Sequence, residues 1–437
     1  MPACHGRRTT AYEVGGEPVR VPWAVPRRGR DDVTSGTSPA IVPRRPARAR
    51  ALQQPQWDDA DQLGRVKEIL ASRPPLVRAD DVLTLHSLLS RVAVGEAHVV
   101  QSGDCAEDPR ECTAAHVRRK SALLDRLAAA LSEQTRTPVL RVGRIAGQFA
   151  KPRSKPVEEI GGLTLPVYRG HMVNSPEPDP RSRVADPLRI LACHLAATDA
   201  MRHLGWCPSG GSTYTAGPRT WTSHEALLLD YELPMVRQRA DGTRWLGSTH
   251  WPWIGERTRQ VDGAHVGLLA EVVNPVACKV GPTMGTDEIA ALCARLDPLR
   301  EPGRLTLIAR MGADLVADRL PALVAAVRAE GHPVIWLCDP MHGNTVLAPG
   351  GRKTRVVATM VREIHGFREA VAAAGGVAGG LHLEATPEDV TECVADAPTP
   401  DSLDDRYSSL CDPRLNARQA VQLLSAWSRT ALHEVPR

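Results

Sequence analysis

Residues 304–338, RLTLIARMGADLVADRLPALVAAVRAEGHPVIWLC, contain two short apolar runs on either side of an Ala/Leu/Arg-rich stretch. The two runs, Leu305–Ala309 and Val334–Leu337, have the length and the β-branched content of buried strands. The stretch between them, Asp318–Glu330, has the composition of a helix. A strand, a helix and a second strand in this order predict one unit of a parallel sheet.

The same alternation continues over most of the chain, and eight strands in all predict a (β/α)8 TIM barrel rather than an open sheet. The remaining predicted strands are Ala97–Gln101, Pro138–Val142, Thr249–Ile254, Ala277–Gly281, Gly379–Leu383 and Tyr407–Leu410. The remaining predicted helices of the barrel are His116–Leu131, Asp287–Arg295, Arg355–Ala374 and Ala417–Leu432.

Two features are predicted to decorate this barrel. Apolar residues recur at helical spacing from Asp58 onwards and again over Val82–Val92, which predicts additional N-terminal helices before the first strand. The interval Pro156–Gly247 is too long for a simple loop. We therefore expect a helical insertion between the second and third predicted strands.

The net charge of +4 is unevenly distributed along the 437 residues. Residues 1–50 contain ten Arg and four acidic residues, which gives +6, and the other 387 residues carry 44 bases and 46 acids, which gives −2. A nearly neutral body argues against a nucleic-acid-binding domain. No apolar run is long enough to cross a membrane, and ten scattered Cys favour a reducing, cytoplasmic location over a disulfide scaffold.

Residues 1–50 are rich in Arg and Pro and lack apolar periodicity, so they are predicted to be a disordered arm. An organelle transit peptide is the alternative interpretation, although four acidic residues count against it. Residues 51–437 are then a single catalytic barrel domain with its decorations. Binding of nucleic acid through the arm would be a separate function and would be lost on its deletion.

Four potential metal ligands follow predicted strands, and the carboxyl ends of barrel strands share one face. They are Cys105, His342, Glu384 and Asp412. A thiolate, an imidazole and two carboxylates suit Mn, Fe, Co or Zn better than Mg or Ca. A lone Cys at such a position is more often buried packing, and a lone His is ambiguous, but four potential ligands from separate strands on one face favour a divalent metal site.

A second set of side chains is cationic, and its members lie in the run between Glu133 and Glu158 and at other strand ends. Lys279 lies inside an apolar strand and Arg310 ends one, where a charge without a partner is costly. Fixed guanidinium groups beside a lysine match phosphate and carboxylate oxygens. We therefore infer a phosphorylated, anionic substrate. The other members of the set are Arg136, Arg141, Arg144, Lys151, Arg153, Lys155 and Arg257.

Several common enzyme motifs are absent from the sequence. There is no phosphate-binding G-x-x-x-x-G-K-[ST] loop and no strand-linked G-x-G-x-x-G, which argues against nucleoside triphosphates and dinucleotides. The G-x-S-x-G elbow of hydrolases and the H-E-x-x-H of zinc proteases are also absent.

Nine runs over residues 51–435 closely resemble the type II 3-deoxy-D-arabino-heptulosonate 7-phosphate (DAHP) synthases, whereas residues 1–50 resemble no part of that family. The runs are QSGDCAE (101–107), RIAGQFAKPRS (144–154), TSHEALLLDYE (222–232), WIGERTRQVDGAH (253–265), NPVACKVGPTM (274–284), RLTLIARMGA (304–313), CDPMHGNT (338–345), GGLHLEATPEDVTEC (379–393) and CDPRLNARQA (411–420).

The resemblance implies a metal-dependent, aldol-like condensation of phosphoenolpyruvate with erythrose 4-phosphate, which gives DAHP and phosphate and begins the shikimate pathway. It implies Mn, Co or Fe, with Zn as a further candidate, in a cytoplasmic homo-oligomer, either a dimer or a tetramer. It also implies catalytic roles for Lys279, Cys105 and His342. The metal ligands it implies are Cys105, His342, Glu384 and Asp412; the phosphoenolpyruvate contacts are Arg144, Glu256, Arg257, Lys279 and Arg310; the erythrose 4-phosphate contacts are Lys151, Arg153 and Ser154.

The short Pro156–Gly247 interval resembles family members from secondary-metabolite gene clusters, and we expect weak or absent inhibition by aromatic amino acids. Two alternatives remain open: an aminoDAHP synthase that uses an amino or imino analogue of erythrose 4-phosphate, and a catalytically inactive scaffold protein. Because Cys411 precedes Asp412, we also hypothesise that Cys105 and Cys411 join by oxidation when metal is absent.

Overall fold

Eight parallel strands form a closed barrel in which every strand pairs with its neighbours along the chain. The computed structural model describes residues 49–206, 219–399, 403–404 and 406–427. Pairing of the last strand with the first confirms the predicted (β/α)8 TIM barrel. The strands are β1 (His98–Gly103), β2 (Val139–Arg144), β3 (Thr220–Glu225), β4 (Trp251–Ile254), β5 (Val276–Val280), β6 (Leu305–Ala309), β7 (Ile335–Cys338) and β8 (Val377–Glu384).

One strand of the barrel was not predicted, and one predicted segment forms no strand. The third strand, β3, was missed because its sequence, TWTSHE, is polar; Ser223 is nevertheless buried and accepts a hydrogen bond from Gln101 at 2.6 Å. The segment predicted as the eighth strand, Tyr407–Leu410, forms no strand. Pairing of β8 with β1 leaves no free edge to which this segment could add.

The helices surround the barrel, and the first two lie before β1, as predicted for the N-terminal decoration. Local capping fixes several helix starts: Asn416 and Gln419 form a reciprocal capping box at the last helix. The helices are α1 (Ala60–Ser72), α2 (Ala79–Ala93), α3 (Ala114–Thr135), α4 (Leu188–His203), α5 (Leu229–Glu232), α6 (Ala264–Ala270), α7 (Thr286–Leu296), α8 (Val316–Ala329), α9 (Val357–Ala373) and α10 (Ala417–Ser425).

The insertion between the second and third strands is present, but its content differs from the prediction. Its described residues form an antiparallel hairpin, Val157–Ile160 with Leu163–Pro166, and one helix, α4. The later part of the interval expected to be insertion contains β3 itself and a second short hairpin, Val236–Gln238 with Arg244–Leu246. A third hairpin, Thr345–Leu347 with Lys353–Arg355, follows β7.

One glycine is required where the barrel closes. Gly380 of β8 has a φ of +142°, and a Cβ atom added there would lie 1.9 Å from the carbonyl oxygen of Val99 in β1. A larger residue would push the last strand away from the first, so the close approach of β8 to β1 depends on this glycine.

Some predictions fall on residues that the structure does not describe. The predicted arm, residues 1–50, lies outside the described residues except for its last two positions, and so do the final residues of the helix predicted to end at Leu432. Among the described residues, no helix combines the length and the apolarity that a membrane crossing requires.

Candidate active site

A cavity of about 790 Å³ opens at the carboxyl ends of the barrel strands. Ten of the twelve predicted site residues line it, and eight of all its lining residues are Lys or Arg. The other two, Cys105 and Glu384, are buried and contact residues of the lining. The predicted residues in the lining are Arg144, Lys151, Arg153, Ser154, Glu256, Arg257, Lys279, Arg310, His342 and Asp412.

Three of the four predicted metal ligands form one cluster. The ligand atoms of His342, Glu384 and Asp412 lie within 4.8 Å of one another. Asp412 reaches this face without following a strand, since Leu415 forms a parallel bridge with Ala385 and donates its N–H to the Glu384 carbonyl at 2.9 Å. The segment beyond β8 is thereby held against the barrel rim.

The fourth predicted ligand, Cys105, lies beside this cluster rather than within it. Its Sγ accepts the backbone N–H of Asp412 at 3.3 Å. A hydrogen bond from the Cys411 thiol, helped by the Lys151 charge, outweighs burial and lowers the pKa of Cys105 to about 6. Both cysteines are free thiols, so their union by oxidation stays a prediction.

Glu384 is surrounded by cationic side chains. Its carboxylate is fully buried and lies 2.8 Å from the Arg355 guanidinium, 3.1 Å from that of Arg144 and 3.4 Å from the Lys151 ammonium. Burial opposes ionisation, yet His342 and these cations hold the pKa of Glu384 well below its usual range. Glu384 therefore joins the ligand cluster to a group of cations, Arg144, Lys151 and Arg355, which we call the cationic wall.

The donor set of the cluster fits a divalent metal. Nδ1 of His342 donates to Asp339 Oδ2 at 2.8 Å, so in the neutral ring the Nε2 lone pair faces the Glu384 carboxylate at 3.3 Å. Two acceptors this close need a proton or a metal ion between them. Nitrogen and carboxylate ligands beside the thiolate-prone Cys105 suit Mn, Fe, Co or Zn.

Lys279 provides the ammonium group of the cavity whose pKa is lowered. It is buried on β5, and its Nζ donates to Asp339 Oδ2. Burial lowers the pKa of Lys279, Asp339 opposes this shift and the nearby Arg144 adds to it, and the net pKa is about 8. At neutral pH the side chain is still mainly protonated and has a proton to give.

Arg144 is held rigidly at the end of β2. It donates to Nε2 of His382 at 3.1 Å, and Nδ1 of that ring donates to Gln101 Oε1 at 2.6 Å. Burial, together with Lys279 and Arg144, holds the pKa of His382 well below its usual range, so the ring is neutral. The guanidinium also lies 5.3 Å from the Trp253 ring centroid.

The outer part of the cavity contains the remaining predicted contacts. Arg257 donates to Ser154 Oγ at 2.6 Å, and Arg310 donates to the His342 carbonyl at 3.0 Å. Arg153 lies 3.5 Å from Glu158 of the inserted hairpin. The insertion and two strand ends therefore supply cations to one opening.

Sequence reasoning missed four residues of the site. Asp339 stands at a strand end like the ligands, and that position was its available signal. Glu225 lines the cavity from the unrecognised β3. Lys353 lines it from a hairpin after β7, and Arg355, predicted to begin a helix, belongs to the same hairpin. Nothing local to the sequence identifies these last two.

The fold and the cavity together define a class: a TIM-barrel enzyme with a cation-lined cavity suited to anionic substrates. Residues 43–222 and 213–427 match the model of the class-II DAHP synthetase family. The chain therefore belongs to the class-II DAHP synthetase family, which confirms the resemblance and the prediction of a 3-deoxy-7-phosphoheptulonate synthase-type enzyme.

Curated relatives cover most of the chain. A probable phospho-2-dehydro-3-deoxyheptonate aldolase of Pseudomonas fluorescens is 57% identical over 384 residues, which are 88% of this chain and 96% of the relative. The phospho-2-dehydro-3-deoxyheptonate aldolase of Streptomyces coelicolor is 39% identical, over 85% and 93% of the two chains. A truncated 3-deoxy-D-arabino-heptulosonate 7-phosphate synthase from Thermotoga maritima, a solved structure, has a TM-score of 0.35 at 16% identity and covers 75% of this chain and 84% of its own.

Proposed function

We propose that this protein condenses phosphoenolpyruvate with erythrose 4-phosphate to give DAHP and phosphate in a divalent-metal-dependent reaction at the start of the shikimate pathway. The observation that carries the proposal is the contact of Glu384 with both the ligand cluster and the cationic wall. In this proposal, the metal site and the binding site for two phosphorylated molecules share one cavity of about 790 Å³.

Arg144, Lys279, Arg310 and Arg257 bind phosphoenolpyruvate in this proposal, because fixed cations pair with its phosphate and carboxylate. Lys151, Arg153 and Ser154 contact the phosphate end of the acceptor. Holding both substrates in one cavity places C3 of phosphoenolpyruvate beside the aldehyde carbon and removes most of the entropic cost of their encounter.

The new bond forms between C3 of phosphoenolpyruvate and the aldehyde carbon of the acceptor. Lys279 donates a proton to the alkoxide that develops, and its lowered pKa favours this transfer. Water then adds at C2 and phosphate leaves. Glu256 is suited to hold that water, since its Oε2 is buried and has no hydrogen-bond partner among the described residues.

His342, Glu384 and Asp412, with Cys105 beside them, would hold the metal ion. A divalent metal bound there supplies Lewis acidity to a carbonyl oxygen. Arg355 keeps Glu384 ionised and in place for that role, because its guanidinium is fully buried 2.8 Å from the carboxylate.

The direct test is turnover. Purified protein with Mn²⁺ and both substrates is expected to consume phosphoenolpyruvate and release phosphate, and EDTA is expected to stop the reaction until metal is restored. Cys105→Ala is expected to remain inactive with added metal, whereas Cys293→Ala, at a buried position of α7 outside the cavity lining, is expected to retain activity. Turnover that persists in EDTA would refute metal dependence. Turnover only with the amino analogue would establish the aminoDAHP alternative.

We further propose a role in a secondary-metabolite pathway, supported by the single helix in the described part of the insertion. Housekeeping members of the family have an additional helix pair there for feedback by aromatic amino acids. We expect Trp, Phe and Tyr, alone or combined, to inhibit the initial rate of phosphate release weakly or not at all. A low-micromolar inhibition constant for any of them would contradict this proposal.

A further inference from the structure

Asp339 is a buried carboxylate that the reaction as proposed above does not use. It directly follows β7 and is completely inaccessible to solvent. Its backbone N–H donates to the Ala309 carbonyl at the end of β6 at 2.7 Å. The side chain is therefore fixed between two strand ends, on the face that carries the active site.

The first carboxylate oxygen of Asp339 is occupied by its own turn. Oδ1 accepts the backbone N–H of Met341 at 3.0 Å and that of His342 at 3.2 Å. These two bonds fix the plane of the carboxylate and hold the segment that presents His342. The second oxygen is left for side chains.

That second oxygen joins two functional groups from different strands. Oδ2 accepts Nδ1–H of His342 at 2.8 Å and also accepts the ammonium of Lys279. If Asp339 only stabilised its own turn, the two hydrogen bonds that Oδ1 accepts from Met341 and His342 would be sufficient. The bond from Lys279 on β5 spans 60 residues of sequence and serves no part of that turn.

We propose that Asp339 is a positioning residue that links the metal centre to the proton donor. It fixes the tautomer of His342 so that Nε2 is free for the metal, and it holds the Lys279 ammonium at the same time. The inference rests on the proposed function, since it takes His342 as a metal ligand and Lys279 as the acid.

The test is Mn²⁺ affinity, measured without substrates from the electron paramagnetic resonance signal of free Mn²⁺. Asp339→Asn presents an amide where two donors point, and we expect it to weaken Mn²⁺ binding about 10- to 100-fold. At saturating Mn²⁺ it is expected to lower kcat as well, because Lys279 loses its acceptor. Unchanged Mn²⁺ affinity in a folded Asp339→Asn protein would overturn the proposal.

Two further variants separate this link from a general loss of stability. Asp297→Asn removes another buried carboxylate that is paired with an imidazole, that of His332 at 3.4 Å, away from the cavity. It is expected to bind Mn²⁺ normally, and an equal loss of affinity there would overturn the proposal. Lys279→Met leaves Oδ2 to His342 alone, so its Mn²⁺ affinity is expected to be unchanged or tighter.

If Asp339→Asn fails to fold, Lys279→Met still tests the proposal. Weaker Mn²⁺ binding by Lys279→Met would contradict the proposal that His342 and Lys279 share Oδ2 of Asp339. Because Mn²⁺ affinity is measured without substrates, it can be determined whether or not the protein catalyses the condensation. If the wild-type protein never condenses the two substrates while Asp339→Asn still loses Mn²⁺ affinity, the proposed function fails and the link between Asp339 and the metal centre stands.

Discussion

Lys279→Met is expected to lower kcat about 10³-fold, because the proposed mechanism loses its proton donor. Methionine is close in shape to lysine but removes both the proton and the charge. The side chain is buried in the cavity beside Arg144, so water has poor access to replace it. The measurement is the initial rate of phosphate release at saturating substrates.

The pH dependence of activity tests whether Lys279 is the proton donor. With a pKa of about 8, Lys279 is protonated below that pH and loses its proton above it, so wild-type activity is expected to fall as pH rises through about 8. Lys279→Arg keeps its charge at all these pH values, since arginine titrates above about 12. Its residual activity is expected to lack this alkaline decline.

Lys67→Met is a matched control for this prediction. Lys67 is partly exposed and pairs with Asp230 at 2.9 Å, outside the cavity. We expect normal kcat from it. An alkaline limb that is unchanged in Lys279→Arg would show that another group gives the proton.

Glu384→Gln is expected to have the second large effect, on stability as well as activity. The substitution leaves two buried guanidinium groups, those of Arg355 and Arg144, without their carboxylate. Breaking a buried ion pair from one side typically costs about 3–5 kcal/mol of unfolding free energy. We also expect kcat to fall about 10²- to 10³-fold, and added Mn²⁺ not to restore it.

Denaturant unfolding and phosphate release measure the two effects separately. Glu388→Gln is the matched control, since Glu388 pairs with Arg119 at 2.8 Å and both side chains are about half exposed. A surface pair of this kind contributes about 0–1 kcal/mol. A Glu384→Gln protein as stable as the Glu388→Gln protein would contradict the structural role assigned to Glu384.

Sequence predicted the barrel because apolar runs report burial on both faces of a parallel strand. It failed at β3, where Ser223 and His224 are buried through hydrogen bonds to Gln101 and Glu232 that no local pattern reveals. Asp412 lies in one cluster with His342 and Glu384, but the premise of its prediction was wrong, because the residue reaches that face through a bridge between Ala385 and Leu415 and not from a strand end.

The sequence by itself determined the fold class, the family and ten residues of the cavity lining, because strand periodicity and contiguous motifs are local properties of the chain. Only the tertiary structure decided the partners of each charge. Arg355 lies 29 residues from Glu384 in sequence, and Lys279 lies 60 residues from Asp339, yet each pair is buried in contact. Such pairs depend on barrel closure, which brings distant strand ends together in a low-dielectric site where a charge must have a partner.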